Sequence, residues 1–223
     1  MSADAVRGAA LAAGIAASSA ASAWLVGRAV SAVAGDRQQA WIVGRAAGLT
    51  SYVLLVAVVG LGLVLSHPWS LRMRHPSGPT RIRVHVSLAV LALAFLAMHV
   101  VVLATDRFAG VGWRGALLPM GAAYRPVPVT LGVIGAYAGI LAGVTAALAG
   151  RVGARVWWPL HKVAAGTLLL VWLHAVRSGS DSRPLLALYV ATGAAIAVLA
   201  VSRYAARTPA DRRGDVVVAR TAR

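Results

Sequence analysis

Residues 51–66 read SYVLLVAVVGLGLVLS, a run without a single charged side chain. With the apolar residues before it, from about 41, it exceeds the roughly 20 residues that an α-helix needs to cross a bilayer. Working outward, comparable spans recur at about 9–33, 84–105, 127–150, 157–176 and 184–201. The first of these is rich in Ala and Ser and is broken by Arg28. A removable signal peptide is its rival reading, but the apolar stretch is long and no cleavage site closes it. The expected fold class is therefore all-α: a polytopic membrane helix bundle of about six transmembrane helices.

Composition points the same way. Of 223 residues, 59% are hydrophobic and 13% charged, and the mean hydropathy is +0.75. A soluble domain has about 25% charged and 45–50% apolar residues, so the composition argues against a soluble globular protein. A disordered chain is poor in apolar residues and is excluded. There is no cysteine. Disulfides, thiolate metal sites, iron–sulfur clusters and covalently attached c-type haem are thereby ruled out.

The loops are short and rich in proline: Pro68, Pro76 and Pro79 in one, Pro119, Pro126 and Pro128 in another. No internal repeat stands out, and no linker separates two domains. The expected organisation is a first helix with its outer loop (1–40), a core (41–183), and a last helix with a short basic tail (184–223). The tail after Arg203 is too short for a flavin or nucleotide domain. No strand pattern carries a dinucleotide-binding glycine turn.

The net charge of +16 is mostly a topology signal. With the N-terminus inside, the inner segments hold Arg7, Arg72, Arg74, Arg81, Arg83, Arg151, Arg155, Arg203, Arg207, Arg212, Arg213, Arg220 and Arg223. The outer loops hold Arg37, Arg107, Arg114, Arg125, Arg177 and Arg183. Arg28, Arg45 and the single lysine, Lys162, lie within spans. The positive-inside rule then favours both termini in the cytoplasm of a bacterial cell. Membrane lipid is the expected surrounding, and no nucleic-acid partner is expected.

Six histidines remain. His67 and His75, in a basic loop, read as solvated residues near the headgroups. His85 and His99 share one span, His161 and His174 another, and ionisable residues within spans mark function by default. The separations are 14 and 13 residues, or about 21 and 20 Å of helix. If both helices run from inside to outside, His85 and His161 share a depth near the cytoplasm, and His99 and His174 one near the outer side. Each pair suits an iron with two axial imidazoles, hence non-covalent haem b. Fourteen residues keep His85 and His99 on one face, whereas thirteen leave His161 and His174 about 140° apart on a straight helix. Either that helix is distorted, for example after Gly166, or its histidines approach from different sides. Zinc would need ligands converging within about 2.1 Å of one point, which such separations forbid. A proton relay would be expected to include membrane carboxylates, and none of the six acidic residues lies mid-span.

The two histidine pairs resemble the ferric reductase-like transmembrane domain. That family includes NADPH oxidases and the haem-binding membrane subunit of the periplasmic methionine sulfoxide reductase system. GRAAGL (44–49), LLPMGAAYRPVPV (117–129), RVWWPLHK (155–162) and HAVRSGSD (174–181) resemble family segments as well. Two positions depart from it: Val86 follows His85 where a basic residue is usual, and Ala175 follows His174 where Gly is frequent. The resemblance implies two haems b held by His85, His99, His161 and His174, in a protein that passes electrons outward. It implies cationic partners for the haem propionates: Arg45 foremost, Arg177 and Tyr124/Arg125 at the outer end, and Arg81, Arg83, Arg155 and Lys162 at the inner.

A separate flavoprotein reductase or a membrane quinol is the expected donor, with ferric chelate, oxygen or a partner protein as acceptor. Trp157, Trp158 and Trp172 read as aromatic-belt residues rather than an electron relay. Gly135, Gly139 and Gly143 read as a small-residue packing face that could equally clear room for a porphyrin. The alternative function is a non-redox transporter or structural membrane protein with buried histidines.

Overall fold

The computed structural model describes residues 39–73, 75–148, 151, 154–179 and 182–206. The expected first span, about 9–33, lies outside them. The helices are α1 (Gln39–Ser66), α2 (Gly78–Thr105), the short α3 (Gly112–Leu117), α4 (Pro126–Ala147), α5 (Ala154–Ser178) and α6 (Leu186–Ala205). A 3₁₀ turn, Pro68–Arg72, follows α1. No strand occurs among the described residues. All but α3 are long and apolar enough to cross a membrane, which makes this a polytopic helical membrane fold.

Prolines and small polar residues set the helix starts. Ser77 caps α2 by accepting the Thr80 N–H, with Pro79 in the first turn. Pro126 opens α4 after Arg125, whose backbone is left-handed at φ 41°. Arg125 donates to the Arg177 carbonyl at 2.8 Å, and Tyr124 to the Ser178 carbonyl at 3.1 Å. These two side chains thus satisfy carbonyls that the end of α5 leaves without helical partners.

Two antiparallel hairpins make the frame, α1 with α2 and α4 with α5. In the first, Gly48 lies against His99 and Gly62 against His85, so 14 residues on α1 match 14 on α2. In the second, Gly132, Gly135 and Gly139 meet His174, Val171 and Thr167 in turn. Gly135 and Gly139 thus serve close packing of α4 on α5, as small residues do in membrane bundles. Gly143 faces Leu93 of α2.

Helix α6 leans on α1 and α5 through Tyr52, Leu168 and Tyr189, all buried. Tyr52 and Thr192 hydrogen-bond through their hydroxyls. Trp172 donates to the Tyr189 carbonyl at 3.0 Å; it is wedged between helices rather than lying in an interfacial belt. The outward surface is apolar: Leu169 is 60% exposed, and Val198 and Val201 69% each. In water each would lose its burial energy, about 25 cal/mol per Å²; facing lipid tails, none does.

Candidate functional site

The helices that carry the four histidines, α2 and α5, barely touch. Each packs along its own hairpin partner instead. Between the hairpins runs a cavity of about 1120 Å³ lined by all four histidines. That exceeds the roughly 300–1,000 Å³ of a pocket for one small ligand.

Across it the rings face one another at two levels. His85 and His161 have ring centroids 6.2 Å apart with planes at 72°. His99 and His174 have centroids 6.4 Å apart with planes at 81°. Both pairs join α2 to α5, so these helices run parallel and each level takes one histidine from each. Two imidazoles bound on opposite sides of one metal, with metal–nitrogen distances of about 2.0–2.1 Å, place their centroids roughly 6 Å apart. Among the described residues no three His, Cys, Asp or Glu converge on one point. Each level therefore offers two nitrogens, fewer than a zinc site uses, and the number that axial ligation of a haem requires.

The tautomers at one level follow from their partners. Nδ1 of His99 lies 2.7 Å from the Gly44 carbonyl, and Nδ1 of His174 2.8 Å from the Pro128 carbonyl. A carbonyl can only accept, so both rings carry their proton on Nδ1. In the neutral form each keeps a lone pair on Nε2. The same arrangement orients histidine ligands in metal sites generally. Ser178 Oγ adds a contact at 3.1 Å to Nδ1 of His174.

The other level is less finished. Nδ1 of His85 and of His161 are buried without a well-formed hydrogen bond; the Val58 backbone is the nearest candidate for His85. His161 lies beside Trp157, ring centroids 5.7 Å apart, whereas His174 rests on Gly132 of α4. The two histidines of α5 thus approach the cavity with different surroundings. Pro159 lies inside the continuous helix two residues before His161 and cannot donate a ladder bond there.

The cationic candidates divide. Arg45 lines the cavity near the His99 level, its guanidinium 4.1 Å from the Trp41 ring centre. Tyr124 lines the same end. Arg177 is exposed and outside the lining; its contribution is the carbonyl that holds Arg125. At the opposite end Lys162 lines the cavity, its ammonium 5.2 Å from the Trp158 ring centre. Arg81 is otherwise engaged: buried, it donates to the Ser70 carbonyl at 3.1 and 3.2 Å and pins the 3₁₀ turn. Arg83 bonds Thr80 away from the cavity. The side chain of Arg155 lies outside the described residues.

Sequence reasoning missed Arg203 and Tyr204, which line the mouth beside Lys162; Arg203 also donates to Ser66 Oγ at 3.1 Å. It also missed the glycines under the rings, although Gly48 and Gly62 repeat the 14-residue spacing of His85 and His99. His67 is half-buried and makes two exposed hydrogen bonds: its Nδ1 accepts from the Trp69 N–H, and its Nε2 bonds Ser202 of α6. His75 is exposed, as expected. Comparison with protein-family models, with curated proteins and with solved structures finds no match to this chain.

Proposed function

We propose that the chain is a di-haem b transmembrane electron-transfer protein, the membrane part of a ferric reductase-like oxidoreductase. The observation that carries this reading is the pair of facing histidines at each of two depths in one cavity. His85 and His161 would hold one haem, His99 and His174 the other. Haem iron with two axial imidazoles exchanges single electrons and keeps no position open for a substrate. The helices contribute the ligands, the apolar walls that exclude water, and the cations at each end. Arg45 at one end, and Lys162 with Arg203 at the other, line the cavity and would meet the propionates.

With both termini in the cytoplasm of a bacterial membrane, the His85 level faces inward. The donor is then a separate flavoprotein or a quinol, and the acceptor a ferric chelate, oxygen or a partner protein outside. Detergent-purified protein should show a b-type visible spectrum with about two haems per chain, extractable by acid–acetone because no cysteine anchors them. A folded, colourless protein would refute the reading. Cysteines introduced at Ser77 and at Met120 should label from opposite sides of the membrane. Labelling of both by an impermeant reagent in intact cells would refute the orientation.

A further inference from the structure

Three of the four paired rings lie against a glycine of the neighbouring helix. A methyl group on Gly48 would stand 2.6 Å from Nδ1 of His99, and one on Gly132 2.6 Å from Nδ1 of His174. In both cases the carbonyl that accepts from the ring belongs to the residue four positions earlier, Gly44 and Pro128. That is the carbonyl facing the glycine's own N–H in an α-helix. The missing side chain and the accepting carbonyl are therefore one patch of helix surface. The two patches, GRAAG (44–48) and PVTLG (128–132), sit on different hairpins and share little sequence beyond the final glycine. The same seat has been made twice.

The other level has less of it. Gly62 leaves looser room, 3.3 Å from a methyl to Cε1 of His85, and Nδ1 of His85 has no well-formed bond. No described glycine abuts His161, whose Nδ1 is buried without a partner.

We propose that Gly48 and Gly132 are positioning residues that fix His99 and His174 before any cofactor arrives, and that the two levels in consequence hold haem unequally, the His85/His161 level releasing it first. This rests on the haem reading above. A ring already ordered by its own hairpin has little freedom left to lose on ligation. A carbonyl on Nδ1 also strengthens the imidazole as a ligand, and loss of such a partner typically weakens a metal site 10- to 100-fold. His161 has neither advantage, and His85 has both only loosely: Gly62 stands further from its ring, and the Val58 backbone, four residues before that glycine, makes no well-formed bond to its Nδ1.

The test is haem transfer from the purified protein to excess apomyoglobin, followed by visible absorption. His85→Ala and His99→Ala variants mark which spectral component belongs to which level. Release should be biphasic, with the fast phase belonging to the His85/His161 component. Gly48→Ala and Gly132→Ala should speed the slow phase roughly 10- to 100-fold and leave the fast phase alone. Gly60→Ala, where a methyl meets its nearest neighbour, Ile196, at 3.5 Å, should change neither phase. The unaltered protein suffices if a glycine variant fails to fold: equal release rates, or first loss from the His99 level, overturn the inference while leaving the haem reading intact. Purified protein without haem overturns both.

Discussion

At the level of His99 and His174 both Nδ1 atoms donate to backbone carbonyls, and both rings rest on glycines. At the level of His85 and His161 neither Nδ1 has a well-formed bond, and one ring has no glycine beneath it. The frame is common to both, since α2 and α5 supply one histidine to each level. What differs is the patch of helix surface behind each ring. Facing distance is therefore set by the hairpins, at 6.2 and 6.4 Å, while ring orientation is set residue by residue. A site can have its ligands at the right separation and still be only half organised.

The largest effect that probes this comparison is loss of a ligand. On the proposed di-haem reading, replacing His99 or His174 by Ala should abolish one spectral and redox component, and replacing His85 or His161 the other, because a low-spin haem iron would need both imidazoles. His67→Ala and His75→Ala should remove neither. Spectra of the six variants, with redox titrations, decide the matter. If His85→Ala matched His174→Ala, the pairing across α2 and α5 would be wrong.

Next come the cations at the two ends. Arg45→Ala should weaken haem retention at the His99 level. Lys162→Ala and Arg203→Ala should weaken it at the His85 level, each by roughly 10- to 100-fold for a charge-assisted hydrogen bond. Arg177→Ala, an exposed side chain, should alter neither. Arg45→Ala acting on the His85 component instead would break the assignment of ends. The buried Arg81 is a third case. Arg81→Met removes both guanidinium bonds to the Ser70 carbonyl, which keeps only the Met73 N–H at 3.2 Å, at a cost of about 1.5–3 kcal/mol for hydrogen bonds to a charged group. It should lower the unfolding temperature without moving either component.

How far all this was legible in the sequence follows from which physical signal reports each feature. Length and apolarity report spans directly, so α1, α2, α4, α5 and α6 stand close to their expected bounds. Helical rise reports depth, so His85 and His161 could be placed together before any contact was known. Side-chain engagement is different. Arg81 and Arg203 are both arginines near the end of a span, and nothing in their sequence context says that one is spent on a loop carbonyl while the other borders a cavity. The glycine seats were within reach, since Gly48 and Gly62 mirror the histidine spacing, but a spacing on one helix acquires meaning only once its antiparallel register with the next is fixed. The 140° offset of His161 and His174 left two options open, a distorted helix or an approach from different sides, and the different surroundings of the two rings fit the second. A periodicity argument assumes one partner for the whole helix, whereas α5 seats only His174 on a glycine of α4, and His161 lies beside Trp157.

The smallest predicted effect lies outside the two levels and bounds the comparison. Trp172 is two residues before His174, and on a helix two residues are about 200° apart. Its indole therefore points away from the ring that rests on Gly132, toward α6, where Nε1 donates to the Tyr189 carbonyl and the ring abuts Gly193. Trp172→Phe removes one interhelical hydrogen bond, worth about 0.6 kcal/mol in membrane bundles, and some packed area. The Tyr189 carbonyl keeps Thr192 Oγ1 as a donor at 3.2 Å, so no buried acceptor is orphaned. Stability of the detergent-purified protein to denaturation by SDS should therefore fall by about 1 kcal/mol, with both spectral components and both release phases unchanged. If Trp172→Phe instead shifted the potential or slow release phase of the His99/His174 component, the seat on Gly132 would not be what fixes His174. The contrast between the levels would then belong to the packing of α6, not to the glycines behind the rings.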